Sequence, residues 1–170
     1  FTKSQVVGVY RPLHSKAFDM FYAYARSRFG LKPIPMNGIM RYVAANSKNP
    51  DRNFALGLIA DQTPAKKDTF YIFNFLNQPT SFFMGIERMA LKYKLPVYFM
   101  HLEKAGRIRY KARFEMIYDG TEEVQEREIT RRYVRKLEQM IIKAPWLWMW
   151  SHRRWKHTRG KELTRAKSIE

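Results

Sequence analysis

Residues 108–116 read IRYKARFEM, and their alternation decides the fold class. Ile108, Tyr110, Ala112, Phe114 and Met116 take every second place, with Arg109, Lys111, Arg113 and Glu115 between them. This is the two-residue period of a strand with one apolar face and one wet, charged face. Downstream, Asp119-Gly120 makes a turn. Thr121 then starts a long helix expected to reach about Lys143. Glu122, Glu123 and Glu126 stand in its first turns and Arg131, Arg132, Arg135 and Lys136 later, the order that suits the helix dipole. Pro145 ends it.

Upstream the pattern repeats strand and helix in turn. Val6 to Tyr10 is β-branched and aromatic and stops at Pro12, so it reads as a strand and a turn. From Ser15 to Phe29 the residues Phe18, Phe21, Tyr22, Ala25 and Phe29 recur at three- and four-residue steps, an amphipathic helix with Ser15 as N-cap and Gly30 as its stop. A proline-rich link, Lys32 to Pro35, leads to a second helix over 38–47. Phe54 to Ala60 has the length and composition of a strand, Phe82 to Lys94 the pattern of a helix, and Pro96 to Leu102 that of a buried strand. Strands alternating with helices predict an α/β domain with a mixed, partly parallel sheet flanked by helices. No repeat and no linker interrupts it. We expect residues 1–145 to form this domain and residues 146–170, which begin WLWMWSHRRWKH, to form an aromatic and basic tail.

Composition narrows the partners. The 170 residues are 45% hydrophobic and 15% aromatic, enough for a substantial core. There is no cysteine, hence no disulfide and no thiolate ligand, as in a reducing compartment. Lys and Arg number 32 against 15 acids, a net charge of +17, which calls for a polyanionic partner: nucleic acid, an anionic membrane or an acidic carrier protein. The chain begins at Phe1 and runs almost at once into a strand. Nothing reads as a signal peptide, and a piece preceding residue 1 is expected. Residues 69–86 carry no charge, but Asn74, Asn77, Gln78, Pro79, Thr80 and Ser81 make a membrane-spanning helix too costly.

Four groups of residues suggest chemistry. His14 and Asp19 stand in the H-x4-D spacing of a general base and its orienting carboxylate; the alternative is a surface histidine near a helix start. Asp61-Gln62-Thr63-Pro64 follows an apolar strand, where ligands of open α/β sheets bind, although turns use the same residues. Among the arginines, Arg11 lies at a strand's carboxyl end, Arg26 and Arg28 at a helix end, and Arg41 and Arg88 on helices; arginine grips phosphate bidentately. In the tail, Trp148, Trp150, Arg153, Arg154, Trp155 and Lys156 match a membrane interface or a base-stacking surface, unless the tryptophans pack inward, which we expect of two of the four. His101, His152 and His157 lack the spacing and the carboxylate company of a metal site. No P-loop, G-x-G-x-x-G or G-x-S-x-G occurs.

The succession GVYRPL, RSRFG, LIADQTP, FFMGIERMALKYKLPVYF and WMWSHRRWK resembles the bacterial lipid A biosynthesis acyltransferases, late acyltransferases of the lysophospholipid acyltransferase superfamily, from about Val7 to Lys156. The resemblance implies a peripheral enzyme on the cytoplasmic face of the bacterial inner membrane. Such an enzyme transfers a fatty acyl group from acyl carrier protein, or from an acyl-CoA donor, to a hydroxyl of a phosphorylated lipid A precursor. It implies a His general base with a carboxylate and no metal or organic cofactor. It also implies that the catalytic H-x4-D/E lies upstream of the V-Y-R-P block, so His14 and Asp19 become bystanders and this chain the substrate-binding portion. In that role Arg11 would hold a phosphate or polarise the thioester region, with Arg26 and Arg41 as further cations. Asp61 and Gln62 would stand at the acceptor site, although DQTP departs from the superfamily's E-G-T-R. Pro96 would shape the pocket, and Phe82, Phe83 and Gly85 would border the acyl channel, although core packing explains them as well. The competing reading is a non-catalytic basic module that binds anionic membrane or nucleic acid. The W-x-W-x-W run and the ordered blocks speak against nucleic acid. Seven Lys or Arg against one acid between Arg153 and Lys167 would draw the tail to an anionic surface, an attraction that salt screens.

Overall fold

In the computed structural model, which describes residues 4–49, 53–65, 71–157 and, for the backbone, 167–169, the apolar run Gln5–Tyr10 is strand β1. It has a parallel neighbour on each side: β2 (Lys32–Pro35) and β3 (Phe54–Gly57), in the order β2-β1-β3. Parallel neighbours require crossovers. Helix α1 (Lys16–Ser27) lies in the first, and a 3-10 turn (Met36–Gly38) with helix α2 (Ile39–Asn46) in the second. Val7, Ile34, Ile39 and Val43 are the buried residues of this unit's core. The α/β class with partly parallel pairing is as expected. The proline-rich link is not a link but β2. It is tolerated because β2 pairs on one side only, so its prolines cost the ladder no donor.

Helix α1 departs from its pattern. None of its residues is buried, and Phe18, Phe21 and Tyr22 are exposed. Ser15 occupies the N-cap place without a side-chain bond. The loop is held instead by Asp19, whose Oδ1 accepts the Leu13 amide at 2.9 Å. Gly30 ends the segment at φ +81°, as anticipated.

The chain divides into two compact units, residues 1–59 and 60–170. The second unit begins its regular structure with a hairpin that the sequence reading missed: β4 (Tyr71–Phe75) and β5 (Gln78–Ser81), antiparallel. Leu76 and Asn77 join them at φ +52° and +57°, the two positive values of a type I′ turn. Leucine is an unusual choice there, which hid the signal. The backbone of β8 (Lys167–Ile169) pairs parallel to β4. Helix α3 (Gly85–Tyr93) follows, starting three residues later than its pattern because Phe82 is committed to the core. Then come β6 (Val97–Lys104), antiparallel β7 (Tyr110–Tyr118) and helix α4 (Glu128–Lys143).

Helix α4 buries Ile129, Val134, Leu137 and Ile141, one stripe at three- to five-residue steps, against Phe73, Phe75, Phe82 and Phe99. Its start is later than Thr121, because Arg127 turns left-handed at φ +72° and the preceding stretch is held otherwise. Asp119 Oδ1 accepts the amides of Thr121 and Glu122 at 2.7 and 2.9 Å. Glu87 of α3 caps the helix: its carboxylate accepts the Arg127 amide at 2.5 Å and the Thr130 amide and hydroxyl at 2.9 and 2.6 Å.

The alternation of 108–116 is real, but its apolar face is not the covered one. Tyr110, Phe114 and Met116, expected inside, are exposed, as are Tyr98 and Met100 across the ladder. The opposite face carries buried Phe99 and Ile117. Charge crosses to α4 there, with Lys136 Nζ 2.7 Å from Glu115 Oε1 and His101 Nε2 2.9 Å from Oε2. Helix α4 covers only the Glu115 end of the charged face, where the carboxylate is paired; Arg109, Lys111 and Arg113 stay exposed.

Gly120, at φ +94°, lets this turn close: a Cβ there would sit 2.7 Å from the Lys94 carbonyl oxygen. Gly120→Ala is expected to destabilise the protein by at least about 2 kcal/mol, since backbone strain and overpacking each cost on the order of 1–3. Urea unfolding followed by circular dichroism checks this.

Candidate functional site

In the first unit, Tyr10, Asp19 and Arg26 come together. The Tyr10 hydroxyl lies 3.4 Å from Asp19 Oδ2, and the Arg26 guanidinium lies 5.4 Å from the Tyr10 ring centre and 5.5 Å from that of Tyr22. Burial, then the Asp19 charge, raises the Tyr10 pKa. His14 is exposed, and no hydrogen bond joins it to Asp19, whose two oxygens are engaged by Leu13 and Tyr10. The H-x4-D spacing does not make a dyad here. Arg11 and Arg41 are exposed.

In the second unit, the Asp61-Gln62-Thr63-Pro64 segment meets the Ser151–Lys156 segment, nearly ninety positions away along the chain. Thr63 is the joint. Its amide donates to His152 Nε2 at 3.0 Å, and its hydroxyl lies 3.0 and 2.7 Å from the carbonyls of Arg153 and Arg154. An Nε2 that accepts this amide carries no proton, which fixes the imidazole's tautomer. Asp61 Oδ2 accepts the Trp148 indole N–H at 3.2 Å. Trp155 donates its indole N–H to Thr80 Oγ1 at 2.8 Å.

At the centre lies Arg154, 1% exposed. Its Nη2 donates to the Ser81 carbonyl at 2.6 Å, and its guanidinium covers the Phe82 ring at 4.5 Å. Burial pulls its pKa down to about 10, against the upward pull of Tyr133 and Asp61. Burial and the nearby Asp61 charge in turn raise the Tyr133 hydroxyl. Phe82 packs edge-on against Phe73, Phe75 and Tyr133.

The structure therefore brings together Asp61, Phe82, Trp148, Arg154 and Trp155. Gln62, Gly85 and Pro96 are exposed and take no part in this cluster. The expected membrane group divides. Trp148 and Arg154 are buried and Trp155 packs against the core, while Trp150, Arg153 and Lys156 are exposed. With Trp146 also outside, two of the four tryptophans pack inward, as expected. The basic positions Arg159, Lys161 and Arg165 lie outside the described residues. Sequence reasoning named Thr63 only as part of the Asp61–Pro64 segment and passed over Tyr133 and His152 as site residues. They meet only through tertiary packing, and no local spacing announces them.

Among the described residues no group of three or more His, Cys, Asp or Glu is placed to hold a metal ion. No helix among them is long and apolar enough to cross a membrane. A search of curated proteins finds no match. A family model described as bacterial lipid A biosynthesis acyltransferase matches residues 2–157, a span that contains every residue of the site just described.

Proposed function

The chain belongs to the bacterial lipid A biosynthesis acyltransferase family, and from that premise we propose that it binds the two substrates of an O-acyl transfer. The donor is a fatty acyl thioester on acyl carrier protein and the acceptor a hydroxyl of a phosphorylated lipid A precursor. Membership in the family carries acyl transfer in general, with an acyl donor and a lipid A acceptor. The carrier, the division of labour within the protein and the place of action are our reading. The match over residues 2–157 carries it. The joining of the DQTP and SHRRW segments through Thr63 supports it, because two blocks of the resemblance, remote in sequence, form one cluster. The excess of cations suits a carrier protein and a phosphorylated acceptor, both acidic. We place the reaction at the cytoplasmic face of the bacterial inner membrane, with exposed Trp150, Arg153 and Lys156 facing anionic lipid at about 1 kcal/mol per cation near the surface.

The test mixes the protein with acyl carrier protein thioester and phosphorylated lipid A precursor, reading binding by fluorescence and acyl transfer by mass spectrometry. Both ligands are expected to bind, and His14→Ala is expected to leave binding and transfer unchanged, since His14 contacts no orienting carboxylate. Loss of transfer in His14→Ala with binding intact would return that residue to the mechanism. Failure to bind either ligand, with a short oligonucleotide bound instead, would overturn the proposal in favour of a nucleic-acid module.

A further inference from the structure

Arg154 is a buried cation without a buried anion. No carboxylate of a described residue lies within ion-pair distance of it, and two of its guanidinium nitrogens, Nε and Nη1, are buried with no hydrogen-bond partner. Only Nη2 is engaged, by the Ser81 carbonyl. Arginine stays charged and offers five donors, and buried donors of native proteins almost always find an acceptor. Asp61 is close enough to act on the Arg154 charge, but its carboxylate is turned to the Trp148 indole. The Phe82 ring fixes the guanidinium plane from one side, and the Thr63 hydroxyl bonded to the Arg154 carbonyl fixes its backbone. A positioned guanidinium with free N–H groups, beside half-buried Asp61, is built to donate to an oxygen.

We propose that Arg154 Nε and Nη1 bind a phosphate oxygen of a substrate. This rests on the acyltransferase reading and deepens it. Two sources share the chemistry: a phosphate on the lipid A acceptor, and the phosphodiester of the pantetheine arm that carries the acyl thioester. Phosphate supplies the unshared oxygens and negative charge that the uncommitted donors lack. Asp61 opposes an anion at this place and so provides a control of opposite sign.

Binding is measured for four ligands: the phosphorylated lipid A precursor, the same precursor with its phosphates removed, acyl phosphopantetheine and acyl pantetheine. The protein is expected to prefer the phosphorylated member of one pair on the order of tenfold or more, as charge-assisted hydrogen bonds give. The pair that shows it identifies the source. Arg154→Gln should bring that preference to about one, and Asp61→Asn should increase it. Where Arg154→Gln does not fold, the Arg154 Nε–H resonance of the wild-type protein serves, and it should move with the phosphorylated ligand alone. Equal binding within both pairs, or an unmoved resonance, would overturn the phosphate site and leave the acyltransferase reading in place. Binding of none of the four would overturn both.

Discussion

Phe82→Ala is expected to cost about 5 kcal/mol of stability, the upper end of the range for a buried phenylalanine. The ring is 1% exposed and stands edge-on to Phe73, Phe75 and Tyr133 at centroid distances of 5.9, 5.2 and 6.1 Å. Each such pair contributes roughly 0.5–1.5 kcal/mol beyond its area. The ring also underlies the Arg154 guanidinium, and a desolvated cation–π contact adds about 2 kcal/mol. Removing the ring leaves both a cavity and a buried charge with one contact fewer. Phe82→Leu, which keeps most of the volume but no quadrupole, should cost about half as much. Urea unfolding read by near-ultraviolet circular dichroism measures both variants. A loss below about 2 kcal/mol for alanine would mean that the site collapses around the vacancy.

Glu87→Ala is expected to cost about 3–5 kcal/mol for a different reason. Glu87 is 3% exposed and accepts three donors at the start of α4, the amides of Arg127 and Thr130 and the Thr130 hydroxyl. Orphaned buried donors cost about 1–3 kcal/mol each, more where charge is involved. The first turn of α4 has no cap of its own, so the loss falls on the helix end, with the dipole's favourable carboxylate gone as well. Glu87→Gln keeps one carbonyl oxygen and should fall between wild type and alanine. Amide hydrogen exchange at Arg127 and Thr130 separates this from general loosening: those two amides should lose protection first in both variants. Uniform loss along the chain would argue against the cap.

The comparison of these two residues shows what the sequence made legible. Phe82 was readable as apolar, and the resemblance set it beside an acyl channel; the structure buries it in the core. Glu87 sat inside a helical pattern as an ordinary acid, and only the approach of α4 gives it a role. Helix α4 itself was legible because its stripe persists over four turns. The Leu76–Asn77 turn was not, because the backbone there needs positive φ at residues that do not advertise it. Period alone gave β7 its secondary structure but not its inner face. Which face is covered depends on where α4 lands, and it lands over Glu115, whose carboxylate pairs with Lys136 and His101. The site was half visible: Asp61 and Arg154 lie in recognisable blocks, but that they share a cluster, and that Arg154 is internal, follows from folding alone.

The two prolines of β2 have a consequence for assembly. Because β2 bonds to β1 along one side, Pro33 and Pro35 must turn their nitrogens to the other, where they leave a border of carbonyls with no proline amide to offer a newcomer. The β2 flank is thereby closed to growth. On the far flank, β3 (Phe54–Gly57) has no second neighbour among the described strands and carries no proline. The two edges of the sheet are thus unequal templates, and chain-to-chain stacking in both directions is barred by a pair of imino acids.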